Sequence, residues 1–176
     1  LLAAAGDAPP LVPKRDADVV YDLPTGRPGP GGVLPQERLR WDAARQRMRV
    51  DPPGGGIYMI TDYATHRIAV VKAADRTVID AAAPAASLAG PPAAPYRREG
   101  TDTVAGAGCT DWATADTEGH DVVICATPEG VVLRVRREGR VVLTARRVSF
   151  APADETVFRV PANYRHIEAT QPAGRP

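Results

Sequence analysis

The chain has 176 residues, 44% of them hydrophobic, which fits one domain with one packed interior and leaves little room for a second. Twenty-two basic against twenty-one acidic residues give a net charge of +1, so no overall field favours nucleic acid or an anionic membrane as a partner. Sixteen Gly and eighteen Pro argue against long unbroken helices, and aromatics at 5% leave the core to Val, Ile, Leu and Ala.

Leu1-Leu2-Ala3-Ala4-Ala5 reads as the end of a secretory signal, an apolar tail closing on small residues at an A-x-A site, and implies export of a soluble mature protein. The alternative is an ordinary frayed, Ala-rich terminus. No later stretch approaches the roughly 20 apolar residues that cross a bilayer. Residues 6–16 are proline-rich with mixed charge, as in an extended leader. The expected layout is therefore a leader over 1–16, one domain over 17–169 and a flexible tail over 170–176.

From residue 18 on, short β-rich runs recur between turn residues with almost no 3.6-residue period, a pattern that predicts an all-β fold. Strands are predicted at 18–23, 37–43, 46–51, 57–63, 67–73, 77–81, 96–104, 109–115, 121–127, 131–137 and 140–150, with 162–169 as a final edge strand. Turns at 52–56, 64–66, 74–76, 128–130 and 138–139 are too short to join anything but antiparallel neighbours. The expected topology is one antiparallel meander of about ten or eleven strands with little helix. Two Pro/Gly/Ala segments, 24–35 and 82–95, interrupt it; loops of this length are where binding surfaces occur.

Alternation assigns the faces. Val131, Leu133 and Val135 oppose Arg134 and Arg136; Leu39 and Trp41 oppose Arg38 and Arg40; Met48 and Val50 oppose Arg47 and Arg49. These arginines read as the wet side of a sheet. The runs 57–60 (IYMI) and 68–71 (IAVV) are apolar on both sides, so a tail, a partner or a ligand must cover the second.

Cys109 and Cys125 flank the turn 116–120. Centred on Thr117, a hairpin sets them opposite each other, which predicts a disulfide worth about 3 kcal/mol in loop entropy; a bulge at Gly119 shifts the register by one, and two buried thiols are the alternative. His66, His120 and His166 have no metal-ligand spacing. Ser87 and Ser149 sit in no nucleophile motif, and Gly106-Ala107-Gly108 precedes a strand, so it is a turn and not a dinucleotide loop. No catalytic, cofactor or metal residue is expected, and the chain does not read as an enzyme.

The stretches 101–112 (TDTVAGAGCTDW), 123–134 (VICATPEGVVLR) and 152–168 (PADETVFRVPANYRHIE) resemble a bacterial group of the LolA-like superfamily, exported domains related to periplasmic lipoprotein carriers. The resemblance covers residues 17–168 and implies periplasmic location and an open, strongly curved half-barrel with an apolar concave side. The carriers' long N-terminal helix has no counterpart in 6–18, and their lid helices fall where this chain has 82–95. Two functions follow: a binding protein holding a lipid or other apolar ligand on the concave face, or an accessory module docking another exported or membrane protein there. Tyr58, Ile60, Ile68, Val70 and Trp112 are the candidates for that face. Parity separates Ile57 and Met59 from Tyr58 and Ile60, and Ile68 and Val70 from Ala69 and Val71, without saying which set faces the hollow.

Overall fold

The computed structural model describes residues 8–83 and 94–169. The terminal Leu/Ala run, most of the second Pro/Ala loop and the tail therefore lie outside the described residues. Twelve strands form one open sheet: β1 (Ala17–Asp22), β2 (Gln36–Asp42), β3 (Arg47–Asp51), β4 (Ile57–Asp62), β5 (Arg67–Lys72), β6 (Thr77–Ala82), β7 (Arg97–Val104), β8 (Ala107–Ala115), β9 (Asp121–Ala126), β10 (Val132–Arg137), β11 (Arg140–Ser149) and β12 (Arg165–Glu168). Among the described residues, helix is limited to one-turn 3₁₀ segments at Pro30–Gly32 and Glu155–Phe158.

Local chemistry accounts for the hairpins. At Ala105-Gly106 and Glu138-Gly139 both turn residues have positive φ, 51° and 77° in the first and 49° and 75° in the second. Two-residue turns of this kind carry the twist of the flanking strands, and glycine takes the second position without steric cost.

The all-β, single-sheet architecture expected from the sequence is present, with an antiparallel core of eleven strands. The order across the sheet is β12-β6-β5-β4-β3-β2-β1-β11-β10-β9-β8-β7. Two meanders, β1–β6 and β7–β11, are thus joined at a seam where β1 pairs β11, from Asp18↔Ser149 to Asp22↔Thr144. The last strand differs from the simple meander: β12 lies parallel to β6, Arg165 opposite Thr77 and Glu168 opposite Asp80. Residues 150–164 make this possible, because a parallel neighbour needs a connection long enough to cross the sheet.

One core cluster gathers Val19, Tyr21 and Trp41 of β1 and β2 with Val104 of β7, Cys109 of β8 and Cys125 of β9. β2 and β7, six places apart in the sheet order, contribute to the same cluster, so the sheet curls around the side bearing Tyr21 and Trp41, called the inner face below. Bulges at Val20/Tyr21, Arg98/Gly100, Val132/Arg134 and Val135/Arg136 supply the bending.

The leader closes one end of this core. Trp41 Nε1 donates to the Pro13 carbonyl at 2.9 Å, and the Lys14 N–H donates to Glu129 O at 2.7 Å. Backbone approaches Gly130 so closely that a Cβ there would stand 2.4 Å from Val12 O. Tyr21 donates its hydroxyl to Val132 O at 2.7 Å, and burial pushes its pKa upward, with Glu37 adding to the shift.

Candidate functional site

Strand register decides which side chains of the doubly apolar runs share a face. Tyr58 stands opposite Val71 and Ile60 opposite Ala69, whereas Met59 stands opposite Val70 and Thr61 opposite Ile68. Tyr58 and Ile60 therefore occupy the outer face, together with Arg49 and Arg47; Ile68 and Val70 occupy the inner face. Trp112 lies apart from both groups, on β8. It is 6% exposed in a separate cluster with Ile124 and Ala126, packed by Leu11 and Tyr96, and its indole N–H is buried with no partner among the described residues. The five expected face residues are thus divided among three places.

The outer face is covered by the chain itself. Residues 150–164 run across it as a strap whose anchor, Phe158, is 3% exposed. Two of the arginines that alternation marks as the wet side, with Arg45 of the β2–β3 turn, hold this strap. Arg47 lies over the Phe158 ring at 5.5 Å, Arg49 donates to Val157 O at 2.8 Å, and Arg45 pairs with Glu155 at 2.6 Å. Asp16 accepts from the Ala43 and Ala153 N–H groups, both at 2.8 Å, tying strap to sheet. Arg49 also lies 3.6 Å over the Tyr58 ring and pairs with Asp51 at 2.6 Å. Burial acts to raise the pKa of Asp51, but bonds from Arg49 and Arg40 outweigh it and hold the carboxyl below its usual value. A cavity of about 280 Å³ remains between strap and sheet, lined by Asp18, Arg38, Arg40, Asp154 and Phe158 among others. The cover that the two apolar runs require is, on this side, a tail.

The inner face of the same strands carries a continuous apolar row. By register, Leu39, Val50, Met59, Val70, Ile79 and Ile167 follow one another across β2, β3, β4, β5, β6 and β12. At a strand spacing of about 4.8 Å, the part from Val50 to Ile167 extends about 19 Å. Leu39 packs against the core, but the row opens outward: Val50, Met59, Val70 and Ile79 are half-buried, and Ile167 is 40% exposed. Ile57 beside it is 45% exposed. This is the candidate docking surface.

The sequence matches no protein-family profile and no curated protein. Solved structures share the fold. An uncharacterized conserved protein from Thermus thermophilus superposes with a TM-score of 0.64 at 11% identity, over 89% of this chain and 91% of that one. PNGF-II gives 0.57 at 11% identity over 88% of this chain. A chain of the structure of MucB in complex with MucA(peri) gives 0.56 at 12% identity over 89%. This chain spans 31% of the PNGF-II chain and 58% of the MucB-complex chain. The likeness to MucB supports a LolA-like fold, and at these identities it shows fold alone.

Cys109 and Cys125 are joined in a disulfide with Cα atoms 5.4 Å apart. Their register differs from the simple expectation. The hairpin is centred on Glu118, with Ala115 opposite Asp121 and Asp111 opposite Cys125, so the bridge runs diagonally between β8 and β9. The Asp116 carboxylate causes the shift by accepting the N–H groups of Glu118 and His120, both at 2.9 Å.

Asp116, Glu118 and His120 also bring three ligand-type atoms within 4.8 Å of one another. A cation already sits among them: Arg137 reaches Asp116 at 2.8 Å and His120 Nδ1 at 2.7 Å, and it pairs with Glu118. The cluster is a salt-bridged turn. His166 contacts Asp80 at 2.6 Å and helps fasten β12 to β6, while His66 is an exposed turn residue with φ 55°.

Proposed function

We propose that the protein is a non-catalytic, exported binding or accessory module that docks a partner protein on the inner face of β3–β6 and β12. The carrying observation is the apolar row ending in Ile167: a sheet face of this kind is stable when another layer covers it. A solved neighbour of the same fold is described as MucB in complex with MucA(peri), which supports a protein as the covering layer. The disulfide supports an oxidising compartment such as the periplasm.

Two substitutions separate docking from packing. Ile60, 5% exposed on the strapped face, should unfold the domain when changed to Glu, at a cost of several kcal/mol. Val70→Glu on the inner face should leave thermal unfolding nearly unchanged and abolish binding. The readout is photo-crosslinking from position 79 in protein kept in its source cell envelope, followed by mass spectrometry. A stoichiometric protein adduct, absent in the Val70→Glu variant, is expected. A stoichiometric lipid in its place, or an adduct untouched by Val70→Glu, would overturn the reading.

A further inference from the structure

Cations collect along one side of the apolar row, over its part from β5 to β12. Lys72 closes β5 on the inner face beside Ile57 and Thr77, and Arg165 opens β12 opposite Thr77. Between them, in the β5–β6 turn, Arg76 accepts the Arg165 N–H on its carbonyl at 2.9 Å. Lys72 and Arg165 are two strands apart, about 9.6 Å.

Among the described residues, no carboxylate forms an ion pair with any of the three, and Asp75 in the same turn is the nearby acid. The outer face of β2 and β3 differs. There Arg38 pairs with Asp18, Arg40 and Arg49 with Asp51, and Arg45 and Arg47 with Asp42. Arg98, Arg140 and Arg147 on other strands are also without an ion pair among the described residues, but Lys72, Arg76 and Arg165 are the unpaired cations that lie beside the half-exposed apolar row.

Resting on the docking reading above, we propose that the partner element covering this face is an apolar peptide segment with carboxylates at one end, placed against Lys72, Arg76 and Arg165. Burial of the apolar part supplies the affinity. The carboxylates set the direction in which the segment lies, since each solvent-exposed pair changes affinity only about two- to fivefold, and three acting together choose one orientation over its reverse.

The test uses the full chain and fluorescent synthetic peptides, each ten alternating Leu and Thr residues followed by Asp-Glu-Asp, by Lys-Lys-Lys or by Ser-Ser-Ser. Anisotropy should show the acidic peptide binding tightest, its advantage shrinking as salt rises from about 50 to 500 mM. Lys72→Glu combined with Arg165→Glu should weaken the acidic peptide about tenfold or more and make the Lys-ended peptide the better ligand. Equal binding of all three peptides, lost in Val70→Glu, overturns this inference and leaves the docking reading standing. Binding that Val70→Glu does not weaken, or capture of phosphatidylglycerol vesicles without binding of the acidic peptide, overturns both.

Discussion

Asp116 shows how much one short side chain organises. Burial acts to raise its pKa, but the N–H groups of His120 and Glu118 and the Arg137 guanidinium outweigh that and hold it at about 2. An unperturbed aspartate titrates at 3.8. A carboxyl depressed on folding contributes stability above its unfolded pKa and loses it as pH falls through the folded one. Asp116→Asn should therefore be less stable than the parent at pH 7, with the gap closing between about pH 4 and pH 2. Urea unfolding at several pH values measures this, and a gap independent of pH would contradict it. The same residue explains why the disulfide partners were readable from the sequence and their register was not. Parity and spacing pointed to a bridge between Cys109 and Cys125, whereas the centre of the turn depends on which N–H groups one carboxylate captures.

The strap, with a single 3₁₀ turn and no strand, completes the fold. It is fastened to the outer face by Phe158 and a few polar contacts, and it delivers β12 to the β6 edge. Phe158→Ala removes a buried aromatic ring, a change that costs about 3–5 kcal/mol in a core. Because the strap is peripheral, the loss should appear as local release. Hydrogen exchange is expected to rise at β12 and in the strap while β8–β11 stay protected. Uniform acceleration across the sheet would show that the strap is part of the global folding unit. The strands were legible because alternation and turn residues are local signals. Residues 150–164 carry no period, so nothing in them announced a covering layer. The candidate face suffered from the same limit. Parity correctly separated Met59 from Ile60 and Val70 from Val71, but only register across strands reveals that Tyr58 and Ile60 turn away from Ile68 and Val70.

The two arms of the sheet are finished differently. The β7–β11 arm has its inner side filled and is stapled by Cys109–Cys125, while the β3–β6 arm presents an open apolar row. Replacing both cysteines by Ser should cost about 2–4 kcal/mol through the entropy of the unfolded loop. Denaturant titration with and without reductant measures it, and equal midpoints would show that the filled arm holds without the bond.

The seam between β1 and β11 fixes an order of events during folding. Asp18 meets Ser149, so β1 acquires its second neighbour only after all the strands between it and β11 have been made. β2 to β6 can zip onto it one hairpin at a time, each closing a short loop. The other edge of β1 stays unpaired through that interval, and joining it closes a loop of well over a hundred residues, which makes the seam the slow, late step of folding. A folding chain of this kind needs that open edge shielded until β11 arrives.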